Sequence, residues 1–272
     1  MQKIAIIPTL LTLGNAVCGF AAIVFASKID RAVEGTHVYF ITSSCLILAA
    51  MLFDALDGYA ARLSKSASDF GGQLDSLCDA ISFGAAPAFL LLKLGQDWEE
   101  APLIRQTVAI IAGLYVVCAV LRLARFNLEN TPDPASHKRF KGLPSPAAAG
   151  CLISLAILRG PLPTNLAVFE PALRGFVRVW APVGTLIVAL LMVSRVPYPH
   201  LTKQLLRGRR HFSYLVRIVL ACALIALINE LALVLLFWGY ALGMLARYVV
   251  VRGLRRKALP ATATGLDDML RH

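Results

Sequence analysis

Four aspartates in this chain are placed to work together. Asp54 and Asp57 stand three residues apart, and Asp75 and Asp79 stand four apart. On a helix, either spacing puts both carboxylates on one face. Long apolar sequence flanks each pair. The acids therefore fall at or inside a membrane boundary, where an ionisable group is expensive and marks a functional site. Carboxylates gathered in such a place raise one another's pKa unless something positive joins them. Hard divalent cations prefer oxygen donors, so Mg2+ or Mn2+ is the expected partner, and Ca2+ can take the same ligands. The bland alternative is a pair of polar helix ends whose carboxylates are merely solvated.

The elements that must position these acids follow from composition. The chain has 272 residues, of which 58% are hydrophobic and 16% charged, with a mean hydropathy of +0.69. Soluble domains carry about a quarter charged residues. The deficit and the repeated apolar runs predict an all-α, polytopic membrane bundle. Pro8, Thr12, Gly14 and Asn15 interrupt the first run, about Pro8 to Ala26, which reads as a membrane helix and not as a cleaved leader. A second helix, about Val38 to Arg62, ends in Asp54, Asp57 and Arg62. The connector Leu63 to Phe70 leads to a third, about Gly72 to Leu94, that begins with Asp75 and Asp79. The two acid pairs then face each other across a helix hairpin at one depth, as a two-metal site requires. Further spans are expected at about Thr107–Phe126, Pro146–Leu158, Val179–Ser194, Phe212–Ile228 and Leu231–Val251, eight in all. Between them lie an acidic loop at Gln96–Glu100, a polar linker at Leu128–Lys141 and a second outer loop at Pro161–Arg178.

Charge orients the bundle. The net charge is +11, but the cations lie between apolar runs and form no soluble basic domain, so nucleic acid is not the expected partner. Arg62, Lys65, the Arg125–Lys141 group, the Lys203–Arg210 group and the basic tail fall on one side, and the acidic loop falls on the other. By the positive-inside rule both termini and the four acids are cytoplasmic, with Arg159, Arg174 and Arg178 dissenting. Residues 1–200 read as a six-helix membrane core, 201–257 as two additional C-terminal helices with basic flanks, and 258–272 as a disordered tail. Six cysteines lie in apolar segments without CxxC spacing and read as small core residues. HExxH, GxSxG and P-loop patterns are missing, which leaves metalloprotease, hydrolase and ATPase readings unsupported.

Small residues fall in register with the acids. The run reads Asp54-x-x-Asp57-Gly58-x-x-Ala61-Arg62, eight residues, then Gly71-x-x-x-Asp75-x-x-x-Asp79. This resembles the signature of the CDP-alcohol phosphotransferases, membrane enzymes of phospholipid synthesis. The segments IPTLLTLGNAVCGF, SASDFGGQLDSLCDAISFGAAPA, LRLARFN, FKGLPSPAAAG and SRVPYPHL narrow the likeness to the phosphatidylserine synthase branch. Thr9 stands where that branch commonly has Asn.

The resemblance implies transfer of a phosphatidyl group from CDP-diacylglycerol to L-serine, with release of CMP. It also implies two divalent ions bound by Asp54, Asp57, Asp75 and Asp79, with Asp79 as the general base. Thr12, Asn15, Gly58, Ala61, Arg62 and Gly71 would contact the CDP-lipid. Arg122, Arg125, Asn127, Lys141 and Ser145 are candidates to hold the serine or phosphate groups. A homodimer surrounded by membrane lipid is implied too, in a bacterial inner membrane with the site facing the cytoplasm. Another alcohol, such as choline, inositol or glycerol phosphate, is the nearest alternative. A choline site would favour an aromatic cage, and the region after the fourth helix offers basic residues instead. A cation-coupled transporter is more remote, since repeated halves and broken mid-membrane helices are not seen in the sequence. Tyr198 reads as an aromatic at the membrane interface.

Overall fold

The first helix shows what medium surrounds the chain. On α1 (Ile6–Ser27) the buried residues are Thr12, Asn15, Gly19, Ala22 and Ala26. Leu10, Val17, Phe20 and Val24 are exposed. Small and polar side chains face the protein while large apolar ones face outward, the reverse of a soluble amphipathic helix. Lipid outside and close backbone approach inside account for that pattern. The computed structural model describes residues 6–30, 35–63, 69–94, 101–129, 142–159, 170–198 and 230–257. Every element among them is helical, and the chain is an integral membrane protein.

α2 (His37–Leu63) returns antiparallel against α1. Ser43 Oγ donates 2.8 Å to the Ala22 carbonyl, and Gly14 lies against the ring of Phe53. A continuous helical run follows: α3 (Asp69–Asp79), a π-helical segment (Ala80–Ala85) and α4 (Ala86–Leu94). It runs parallel to α1, with Asn15 beside Asp79 at one level and Ser27 beside Lys93 at the other. α5 (Pro102–Glu129) runs back along it. There the Tyr115 hydroxyl donates 2.9 Å to the Phe83 carbonyl inside the π segment.

α6 (Ser145–Ile157) is the short central helix, and α7 (Glu170–Val193) and α8 (Glu230–Lys257) complete the described bundle. α8 docks through aromatic side chains. Trp238 Nε1 donates 3.1 Å to the Cys151 carbonyl, and the Tyr198 hydroxyl donates 3.0 Å to the Ala241 carbonyl. Gly150 and Gly184 leave the room that Phe237 and Trp238 occupy.

Six helical runs among the described residues are long and apolar enough to cross a bilayer. α6 is apolar but shorter, and Ala148 to Ile157 are buried throughout, so it fills the middle of the bundle. The expected span Phe212–Ile228, the acidic loop Gln96–Glu100 and the tail 258–272 lie outside the described residues.

Three sequence expectations need correction. Residues 170–178 are not part of a loop, because α7 starts at Glu170. Pro171 falls in the first turn, where its missing N–H costs nothing, and Arg174 pairs with Glu170 one turn back. Leu128 and Glu129 belong to α5 and not to the linker. Tyr198 is buried, and its hydroxyl is bonded inside the protein. The dissenting Arg159 also has a structural partner. It donates 2.8 Å to the Leu94 carbonyl, while Lys93 Nζ donates 3.2 Å to the carbonyls of Ser27 and Ile29. These cations close helix C-termini at the end of the bundle opposite the acids.

Gly142 fixes the entry to α6. Its φ is +101°, its N–H donates 2.8 Å to the Val196 carbonyl, and the next N–H, of Leu143, donates 3.0 Å to Leu191. A Cβ there would run into the Met192 carbonyl. Backbone strain of about 1–3 kcal/mol then adds to overpacking of similar size. Gly142→Ala should therefore lower the thermal midpoint of the detergent-solubilised protein by several degrees. An unchanged midpoint would show that the Met192 carbonyl yields at no cost.

Candidate active site

The last turns of α2 and the start of α3 bring three carboxylates together. Asp54, Asp57 and Asp75 each offer an oxygen, and these oxygens lie within 4.8 Å of one another. Asp57 is buried, and the other two are half-buried. Asp75 Oδ1 is shielded from solvent and has no hydrogen-bond partner among the described residues. An orphaned buried acceptor beside two more carboxylates is costly unless a cation joins it. Three oxygen donors at this separation fit a hard divalent ion.

Asp79, one turn beyond Asp75, stands outside that triad. It is buried, and its Oδ1 accepts a 2.9 Å hydrogen bond from Asn15 Nδ2 on α1. It remains close enough to Asp54, Asp75 and Asp57 for their charges to act on it. The structure thus divides the four acids into three that share a metal-sized space and one held by a neutral amide.

The same end of the bundle carries the cationic candidates. Arg122, three-quarters of the way along α5, donates 2.5 Å through Nη1 to Ser145 Oγ at the start of α6. Asp54, Asp79, Tyr115 and Tyr240 are near enough to act on its charge. Asn127 Oδ1 accepts a 3.1 Å bond from Ser76 Oγ, which places it beside α3 next to Asp75. Arg125 is half-buried on the same helix. Lys141 and the Arg62 side chain lie outside the described residues. Gly58, Ala61 and Gly71 are half-buried on α2 and α3, next to the acids in sequence. Thr12 spends its hydroxyl proton on the Pro8 carbonyl of its own helix, 3.0 Å away.

Four residues join this end of the bundle that the motif did not supply. Ser76 adjoins Asp75, and Ser82 lies three residues beyond Asp79, where it donates 2.9 Å to the Asn15 carbonyl. Tyr115 lies two turns before Arg122. Helical spacing from a known acid or cation would have found these three. Tyr240 comes from α8, and no local pattern links it to Arg122.

If the triad holds a divalent ion, the purified chain should bind Mn2+. Asp57→Asn should weaken that affinity by at least about tenfold, the lower range for losing even a supporting partner of a metal ligand. Mn2+ titration followed by electron paramagnetic resonance measures it, and equal affinity in the two proteins would remove the triad as the site.

Comparison with known proteins gives this geometry a family. Residues 5–194 match the CDP-alcohol phosphatidyltransferase family. The chain is 31% identical over 198 residues to a CDP-diacylglycerol–serine O-phosphatidyltransferase of Bacillus subtilis, covering 72% of this chain and 92% of that one. It is 30% identical over 227 residues to the protein of the same name from Methanocaldococcus jannaschii, covering 84% and 87%. An archaetidylserine synthase of Methanothermobacter thermautotrophicus is 32% identical over 196 residues, covering 71% and 69%. The matched region runs from the start of α1 to the end of α7 and includes all four acids, Arg122 and Ser145, so the chain belongs to the CDP-alcohol phosphatidyltransferase family.

Proposed function

We propose that this protein transfers the phosphatidyl group of CDP-diacylglycerol to the hydroxyl of L-serine and releases CMP. The observation that carries the reading is the gathering of an acidic triad, a separate buried carboxylate and an arginine at one end of the bundle. Similarity to the serine-transferring relatives supports the acceptor. Their names cover different lipids, diacylglycerol and archaetidyl, and share serine.

In this reading serine Oγ forms a bond to the β-phosphorus of the CDP-lipid. The bond from that phosphorus to the oxygen bridging to CMP breaks, and CMP leaves with the bridging oxygen and its electron pair. Asp79 takes the hydroxyl proton. Asp54, Asp57 and Asp75 would hold a divalent cation, Mg2+ or Mn2+, which would supply positive charge against the diphosphate. Asp79 borders a second ion if two are bound. Gly58, Ala61 and Gly71 give the nucleotide room along α2 and α3, and Arg62 pairs with phosphate. Arg122, Arg125 and Lys141 meet the serine carboxylate or the lipid phosphate, for which arginine's forked donors suit either oxygen pair. Asn127 and Ser145 orient polar groups beside them.

The same reading has eight spans, with both termini and the site facing the cytoplasm of a bacterial inner membrane. Residues 1–200 form the catalytic core, 201–257 an appended helical pair, and 258–272 a tail. The family match to 5–194 supports the first boundary. Family resemblance supports a homodimer in lipid.

Radiolabelled serine should enter lipid only when CDP-diacylglycerol and Mn2+ or Mg2+ are present, and EDTA should abolish the incorporation reversibly. Arg122→Ala should raise the KM for serine more than that for CDP-diacylglycerol. Incorporation of choline or inositol in place of serine would overturn the acceptor assignment. Orientation is tested separately: single cysteines at positions 99 and 257 should be labelled from opposite sides of sealed vesicles. Labelling from one side would mean an odd number of crossings between them is wrong.

A further inference from the structure

Asn15 stands among the residues expected to touch the CDP-lipid, yet its side chain is turned elsewhere. It is fully buried on α1, and its Nδ2 donates 2.9 Å to Asp79 Oδ1 across 64 positions of sequence. Its backbone carbonyl accepts a 2.9 Å bond from Ser82 Oγ. Asp79 and Ser82 lie three residues apart on one helical face, so α1 grips that face twice at a single residue. Gly19, one turn further along α1, makes the grip possible: an added Cβ would stand 2.7 Å from Ser82 Cα. The orientation of the amide is fixed by its neighbour, because a carboxylate oxygen accepts and only the NH2 end can donate to it. Asn15 Oδ1 consequently faces away and has no partner among the described residues.

Asp79 has a competing attraction. Asp54, Asp57 and Asp75 are all near enough to act on it, so a cation held by the triad would draw a fourth, freely turning carboxylate into its shell. The Asn15 bond engages one Asp79 oxygen with a neutral donor and restricts rotation of the carboxylate. The other oxygen is left in a defined place.

We infer that Asn15 is a positioning residue: it holds the Asp79 carboxylate apart from the metal triad, with Oδ2 left to accept the proton of the attacking hydroxyl. The inference rests on the reading of Asp79 as the base. It assigns Asn15 to the proton-accepting half of the reaction and not to the nucleotide.

The test is steady-state kinetics of the full-length protein in lipid nanodiscs with radiolabelled serine, CDP-diacylglycerol and Mn2+. Asn15→Ala, Asp79→Asn and the double variant are compared. In parallel, Mn2+ titration followed by electron paramagnetic resonance should show an altered Mn2+ affinity in Asn15→Ala, where Asp79 is released toward the triad. An unchanged affinity would overturn the claim that Asn15 keeps the two apart. Asp79→Asn should lower kcat by about 10²–10⁴-fold, the usual contribution of a general base. Asn15→Ala should lower kcat by roughly 10–100-fold, part of that same contribution, with the KM for CDP-diacylglycerol within about twofold of the parent. Added to Asp79→Asn, it should cost nothing further, because a residue acting through a carboxylate has no effect once that carboxylate is gone. Asn15→Leu, close in volume but without the amide, carries the same expectations if the alanine variant does not fold. A raised KM for CDP-diacylglycerol with kcat unchanged would overturn the inference in favour of a nucleotide contact. So would an Asn15→Ala loss of equal size with and without Asp79→Asn, which would mark an independent or purely structural role. Near-normal turnover of Asp79→Asn alone would instead remove the base reading, and this inference with it.

Discussion

Carboxylates repel one another, and the repulsion is poorly screened where helices pack within a bilayer. Here four of them crowd one end of a helix hairpin, and most of the architecture can be traced to that constraint. The end of α2 and the start of α3 must meet in order to place Asp54 and Asp57 beside Asp75. Nothing in the local sequence of either helix makes that approach favourable, since the approaching groups carry the same sign. The surrounding packing must enforce it. α1 is the enforcing element: it packs along α2 through Gly14 and Ala22 and along α3 and the π segment through Asn15 and Gly19. Small residues on α1 allow both neighbours to come close at once.

The crowding also explains why the four acids are not equivalent. Three oxygens within 4.8 Å can share a cation. Asp79 is buried and bonded to an uncharged amide, which sets it apart from those three. Arg122 lies near both Asp54 and Asp79 but commits a donor to Ser145. Under the proposed function, its remaining donors would meet an anionic substrate group. On the proposed function, metal chemistry, proton transfer and anion binding would fall to different side chains over a short stretch of the bundle.

The legible part of this arrangement was what spacing encodes. Pairs three and four residues apart put the acids on shared helix faces, and apolar run lengths placed α1, α2 and the α3–α4 run to within a few residues. The acids and the hairpin between them were therefore readable from the chain. Partnership across helices was not. Asn15 could be recognised as a polar residue on a membrane helix, but nothing in its neighbourhood says that its partner is Asp79 rather than a nucleotide. Tyr198 reads from the sequence as an interfacial aromatic; its burial depends on α8 arriving to cover it. The start of α7 was hidden by Pro171 and Gly175, which punctuate loops in water. A proline in the first helical turn costs no hydrogen bond.

The π segment immediately after Asp79 is the least regular part of the core, and its placement follows from the same demands. A π turn widens the helix and bonds five residues back, as the Ala86 N–H does to the Ile81 carbonyl. Such turns are rare and cluster at functional sites. Here the segment is buried between α1 and α5, so its backbone cannot turn to water for partners. Two side chains meet the need from opposite sides. Tyr115 on α5 donates to the Phe83 carbonyl, and Ser82 itself reaches out to the Asn15 carbonyl on α1. Both bonds lie within one turn of Asp79. They pin the widened turn between two helices, and the carboxylate at its edge inherits that rigidity. An irregular turn held this way gives Asp79 a fixed backbone position while its side chain is held separately by Asn15. Backbone and carboxylate are therefore constrained by different contacts, and those made to α1 lie beside the close approach that Gly19 permits.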